Sequence, residues 1–145
     1  GAEAVPAALR LHNRLSAMRR MMALGLGAPS SDELDALAMA LDEARHASPL
    51  LHARALSSLR LLQSLTGSDA ETQLMYAKQA ADLDPAAQPG LERLAQLQLA
   101  AGRIEEAADT LSRAQATIGP GHGVAKLQAA IKTLRREDAA AGAMR

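Results

Sequence analysis

The chain of 145 residues contains no cysteine, tryptophan or phenylalanine, and Tyr76 is its only aromatic residue. The lack of cysteine excludes disulfides, thiolate metal sites and cysteine nucleophiles, and it leaves both a cytoplasmic and a periplasmic location open. The scarcity of aromatic residues argues against a β-sandwich or barrel, because these side chains favour strands. Alanine, leucine and arginine are abundant instead, and they favour helix. The composition therefore predicts an all-α protein.

The chain also lacks an excess of charge and a long hydrophobic run. Lys plus Arg and Asp plus Glu each number 16. Proteins that bind phosphate backbones usually carry a basic excess, so we do not expect a nucleic acid partner. The longest apolar stretch, at residues 21–26, is too short to cross a bilayer, and we expect no membrane insertion.

Prolines divide the sequence into segments of similar length. Pro49, Pro85 and Pro120 follow one another at about 35 residues, each after an amphipathic stretch, and this period is typical of stacked helix pairs. Residues of capping type open several segments: Ser30 with Glu33, Ser68 with Glu71, and Ser48 before Pro49. Together with the apolar periodicity, these signals predict seven helices.

The segment 88–120 carries a recognisable repeat pattern. Its first predicted helix has Leu91, Leu94 and Ala95, its turn reads Gly-Arg-Ile-Glu-Glu-Ala at residues 102–107, and Leu111, Ala114 and Pro120 follow. This segment resembles a tetratricopeptide repeat. The resemblance implies an α-solenoid of about three antiparallel helix pairs, at residues 6–49, 50–85 and 86–120, with a capping helix at 123–137. It also implies a single domain over 6–137, followed by a frayed tail at 138–145.

The sequence contains few patterns that are typical of catalysis or of cofactor binding. There is no phosphate-binding loop, nucleophile elbow or HExxH helix. Glu43 with His46 is half of a di-iron motif, and His46 and His52 flank the Ser48–Pro49 turn, but we interpret all of them as solvated polar residues. We therefore expect no enzymatic activity, no catalytic residue, no cofactor and no metal.

Two further groups of side chains receive structural interpretations. Met18, Met21 and Met22 are assigned to the filling of core gaps rather than to a contact surface. The arginines of the first helix spread around it and are assigned to a solvated face; they are Arg10, Arg14, Arg19 and Arg20.

In the tetratricopeptide family, the first helix of each pair lines a concave groove that holds a peptide or protein segment. Transferred to this chain, the resemblance implies a non-catalytic interaction scaffold. The groove positions are then Asn13, Ser16, Arg20, Arg54, Ser57, Leu61, Ser64, Glu92, Gln96 and Leu99.

Two alternative functions stay open at this point. The chain could be a substrate-recruiting or regulatory helper domain of a larger enzyme or of a secretion or envelope assembly, which the absence of an initial methionine favours. It could also be a self-associating structural unit that forms a homo-oligomer.

Overall fold

In the computed structural model, which describes residues 6–46, 48–118 and 122–143, the chain forms seven α-helices and, within these ranges, no strand. This confirms the all-α prediction. The helices are α1 (Ala7–Ala23), α2 (Ser31–Glu43), α3 (Pro49–Thr66), α4 (Ala70–Leu83), α5 (Gln88–Ala100), α6 (Ile104–Ile118) and α7 (His122–Ala143).

The chain divides into two compact units, Gly1–Asp84 and Pro85–Arg145. The division falls at the predicted end of the second repeat. The first unit contains α1 to α4, and the second contains α5 to α7.

Two helix starts show how the sequence sets the element boundaries. At α2, the Glu33 backbone N–H donates to Ser30 Oγ at 3.1 Å and the Ser30 backbone N–H donates to Glu33 Oε1 at 3.4 Å, so the predicted capping box is confirmed. At α4, the prediction of Ser68 as the cap is wrong, because Asp69 is the N-cap residue. The Asp69 carboxylate accepts the Thr72 backbone N–H at 2.7 Å and the Thr72 hydroxyl at 3.0 Å. The first of these bonds satisfies one of the backbone donors that a helix start leaves unpaired.

Loss of the Asp69 cap is expected to destabilise α4. The Thr72 backbone N–H and then its hydroxyl lower the pKa of Asp69 from its ordinary value. The pKa is thus lower in the folded than in the unfolded chain, so the stabilisation is complete above the unfolded-chain pKa and disappears as pH falls through the folded one. Asp69→Ala should melt at a lower temperature than the wild type at neutral pH. Asp69→Asn, which keeps the cap but does not titrate, should lose less stability than the wild type on acidification to about pH 3. Thermal melts of the three proteins at both pH values test this, and an equal acid response of the wild type and Asp69→Asn would contradict it.

Helix α3 is the centre of the first unit, because α1, α2 and α4 all pack against it. Its apolar side chains form one cluster with those of α1 and α2, in which the buried members are Leu15, Leu34, Leu37, Leu41, Ala55, Leu59 and Leu62. On another side of α3, the seam with α4 is lined by small buried residues of α4, namely Ala77, Ala80 and Ala81. Small side chains let two helices approach closely, and α3 and α4 form the most extensive helix contact of this unit.

In the second unit, α5 and α6 form a helical hairpin and α7 packs on both. Gly102, at φ 77°, makes the left-handed turn that joins the hairpin. Ala95, Ala107 and Ala114 are completely buried, as the repeat pattern predicts.

Within the described residues, α7 continues to Ala143, so residues 138–143 are helical where a frayed tail was predicted. Pro120 and residues 144–145 lie outside the described part of the chain.

Among the residues that the structure describes, no helix combines the length and the apolar character needed to cross a membrane.

Candidate functional site

The candidate site of the first unit lies where α1 and α3 pack side by side. A hydrogen bond of 2.8 Å joins Ser58 Oγ of α3 to His12 Nδ1 of α1, and both side chains are half-buried. Ser16 lies one helical turn after His12, and Arg54 lies one turn before Ser58. We call this region, defined by His12, Ser16, Arg54 and Ser58, the α1–α3 surface.

Arg54 is the most prominent group of the α1–α3 surface. Its side chain is exposed, and no other described residue forms a hydrogen bond or ion pair with it. Ser16 is half-buried, and its hydroxyl also has no partner in the described part of the chain. A guanidinium carries five N–H donors in a planar fork that fits carboxylates and carbonyl oxygens. The α1–α3 surface can therefore donate several hydrogen bonds to an acidic or extended segment.

Three of the predicted groove residues on α3 are not part of the α1–α3 surface. Ser57, Leu61 and Ser64 are buried in the first unit. The Ser57 hydroxyl donates to the Ala80 carbonyl oxygen and the Ser64 hydroxyl to the Gln73 carbonyl oxygen, each at 2.7 Å. These bonds attach α3 to α4, so the structure gives the two serines a packing role.

The burial of these three residues follows from their positions around the axis of α3. Arg54, Ser57, Leu61 and Ser64 follow one another at helical spacing and form a single stripe along the helix. Ser57 and Ser64 of this stripe face α4, whereas Arg54, near the start of α3, is exposed. Small serines in such a stripe allow the same close helix contact as alanines do. Small residues recur at helical spacing on both helices, as serines on α3 and as Ala77 and Ala80 on α4. This pattern was the signal that could have revealed the contact between α3 and α4.

On α1, the structure places the other predicted residues at the surface. Asn13 and Arg20 are exposed, and neither side chain forms a hydrogen bond or ion pair with another described residue. Arg20 lies close to the C-terminal end of α1, two turns along the helix from Asn13. Their role in partner binding stays a prediction.

In the second unit, Glu92 of α5 lies against the start of α7. It accepts a hydrogen bond of 2.9 Å from the Gln88 side chain, and a methyl group built on Gly123 would come within 2.7 Å of its carboxylate. A carboxylate close to a helix N-terminus interacts favourably with the unpaired N–H groups there. The role of Glu92 in partner binding stays a prediction. Gln96 is exposed and accepts a hydrogen bond of 3.3 Å from Arg93, while Leu99 is half-buried.

The histidines considered as metal ligands have other surroundings. His52 donates from Nε2 to the Leu41 carbonyl oxygen at 3.1 Å and thereby connects α3 to the end of α2. His46 is exposed. Within the described residues, no three His, Asp or Glu side chains come together in an arrangement that could hold a metal ion.

The methionines of α1 divide between core and surface. Met18 and Met22 pack partly buried against the core cluster, as predicted, whereas Met21 is 48% exposed. Leu24 and Leu26 follow it in the loop after α1 and are also largely exposed. The first unit thus presents apolar side chains to solvent at the C-terminal end of α1, a feature that the sequence interpretation missed.

No family model matches this chain, and neither the curated proteins nor the solved structures provide a match. The described surfaces themselves show two features: polar groups without intramolecular partners on the α1–α3 surface, and exposed apolar side chains after α1.

Proposed function

We propose that this chain is a non-catalytic protein-interaction scaffold of the tetratricopeptide type, in which the first helices of successive pairs present a surface to a peptide or protein segment. The packing of α1 beside α3 supports this proposal, because both are first helices of their predicted pairs. The antiparallel hairpin of α5 and α6 carries the repeat's small residues at its seam and supports it as well.

The observation that carries the proposal is that the Arg54 side chain is exposed and has no hydrogen-bond or ion-pair partner among the described residues. Arg135 of the second unit pairs with Glu105 at 2.7 Å, so part of its hydrogen-bonding capacity is used within the chain. Arg54 instead lies one helical turn before Ser58 and has no partner among the described residues. Its donors are therefore available to a carboxylate or to the backbone carbonyl oxygens of a bound segment.

Arg54→Glu is expected to weaken partner binding by about 1–3 kcal/mol, since it replaces the donors by a repelling charge. The stability of the fold should change by no more than about 0.5 kcal/mol, because the side chain is exposed. Lys78→Glu is the matched control: Lys78 is an exposed cation on α4, also without a partner among the described residues.

The test starts with capture of a partner from lysate of the source cells on the immobilised wild-type chain. The captured protein is then titrated by calorimetry against the wild type, Arg54→Glu and Lys78→Glu. Selective weakening in Arg54→Glu supports the proposal. Equal affinities for Arg54→Glu and the wild type, or a loss in Lys78→Glu alone, would remove the α1–α3 surface as the binding site.

A further inference from the structure

An open groove separates α1 from α2. Both helices pack mainly on α3, and their mutual contact is the sparsest of the helix contacts in the first unit. Two depressions, of about 400 and about 210 Å³, lie between them. We call the two together the α1–α2 groove.

The lining residues place the two depressions of the α1–α2 groove toward opposite ends of the two helices. The larger depression lies between Arg10 and Arg14 of α1 and Ala40 of α2. The smaller one lies between Met18 and Met21 of α1 and the start of α2 at Glu33. The N-terminal half of α1 therefore faces the C-terminal half of α2, and the helices are antiparallel. On α1, Arg10, Arg14, Met18 and Met21 recur at helical spacing and form one stripe.

The stripe on α1 changes from charged to apolar along its length. Met18 and Met21 occupy its C-terminal part, and Leu26, 64% exposed, adds to them from the loop. Methionine side chains adapt to the shape of a bound apolar surface, and they recur in proteins that bind amphipathic helices. On the opposite wall, Ala40 and Ala44 are small and permit the close approach of another helix.

The charges at the rim distinguish the two walls. Between Pro6 and Ser31 the sequence contains arginines but no Asp or Glu, so the charges that α1 brings to the groove are all positive. Arg14 lines the groove and has no hydrogen-bond or ion-pair partner in the described part of the chain. The α2 rim carries Glu33 and Glu43. An occupant with an acidic edge on the α1 side would therefore be oriented by the groove.

The dimensions of the groove fit a short helix. The shorter wall, α2, has 13 residues, which correspond to about 20 Å at 1.5 Å per residue. A helix of three to four turns that lies there would place its i, i+3, i+4 and i+7 side chains on Met18, Met21 and Leu26. It would also cover apolar side chains that a monomer leaves in water.

We propose that the α1–α2 groove binds an amphipathic helix of another protein, with its apolar face on Met18, Met21 and Leu26 and an acidic edge against Arg14. This inference rests on the proposed function, an interaction scaffold, and adds a second surface and the chemistry of its partner. The groove is distinct from the α1–α3 surface that carries Arg54, so the two can be tested separately.

The absence of cysteine makes a site-specific test direct. A spin label on Ala40→Cys reports from inside the groove, and one on Lys78→Cys reports from the exposed face of α4. The probe is a synthetic amphipathic helix of about four turns with leucines on one face and glutamates along one edge. The comparison peptide has lysines in place of the glutamates.

We expect the glutamate peptide to immobilise the label at Ala40→Cys and to leave the label at Lys78→Cys unchanged. Arg14→Glu should weaken its binding by about tenfold or more and shift the preference toward the lysine peptide. Met21→Glu should weaken it similarly. Met75→Glu, on α4, should have no effect, although Met75 is 47% exposed and so matches Met21 in exposure. Arg54→Glu should bind the peptide as the wild type does, which separates this site from the α1–α3 surface.

Three results would overturn the proposal. One is a label at Ala40→Cys that stays mobile at saturating glutamate peptide. The second is an equal loss of affinity in Met21→Glu and Met75→Glu. The third is a label at Ala40→Cys that becomes immobile with rising protein concentration in the absence of peptide, together with dimers in sedimentation, because the occupant is then a second copy of this chain. Peptide binding with no loss of partner affinity in Arg54→Glu would keep the groove and remove only the α1–α3 surface.

Discussion

Leu59→Ala is expected to lower the free energy of unfolding of the first unit by about 2–5 kcal/mol. Leu59 is completely buried and belongs to the cluster that α1, α2 and α3 share. Since α3 contacts all three other helices of the unit, a cavity at its centre cannot be closed by the movement of one neighbour. The cost should therefore include both the lost burial of the side chain and the unfilled volume.

The chain provides its own probe and control for this measurement. Tyr76, its only aromatic residue, belongs to α4 of the first unit, with the guanidinium carbon of Arg60 5.9 Å from the ring centroid. Tyrosine fluorescence in a denaturant titration thus follows the first unit, whereas circular dichroism follows all helices. Leu50→Ala, on the same helix but 60% exposed, should change stability by no more than about 0.5 kcal/mol. Similar midpoints for Leu59→Ala and Leu50→Ala would show that the α3 core is assigned incorrectly.

The helices were predictable because their signals are local. Ser30 with Glu33, Pro49 at the start of α3 and Gly102 after α5 each determine a boundary through a few neighbouring atoms. At the start of α4, the predicted N-cap is displaced by one residue. The carboxylate of Asp69 accepts two bonds from Thr72, and Ser68, one position earlier, is not the N-cap. A sequence pattern locates a helix start to within a residue or two, but the choice between adjacent capping side chains depends on backbone geometry.

The candidate site was less predictable because it depends on which sides of a helix are covered. Ser57 and Ser64 have the polarity of surface residues, yet they are buried because α3 is packed by three other helices and small hydroxyls fit its seam with α4. The family resemblance implied a close pair of α1 and α2. The structure gives them only sparse contact, and the exposed Met21 follows from that separation. Periodicity defines the apolar face of each helix and leaves open which helix covers it.

In the second unit, the decisive contact is the seam of the α5–α6 hairpin, and Ala107→Leu is expected to destabilise it by about 1–3 kcal/mol. Ala107 is completely buried in the first turn of α6, close to the tight turn at Gly102. One turn later, the Thr110 hydroxyl donates to the Gln98 side chain at 2.7 Å and holds α6 against α5. Added methylene groups at Ala107 must therefore push the helices apart and strain this bond.

The matched control for this change is Ala116→Leu, which adds the same side chain on the exposed face of α6. It should leave stability within about 0.5 kcal/mol of the wild type. Denaturation of both variants is followed by circular dichroism, with Tyr76 fluorescence in parallel, because the tyrosine lies in the first unit and α6 lies in the second. Ala107→Leu should shift the dichroism transition of the second unit. A variant that unfolds at the wild-type denaturant concentration would mean that α5 and α6 are not closely packed at Ala107, and the repeat register taken from residues 102–107 would then have to be abandoned.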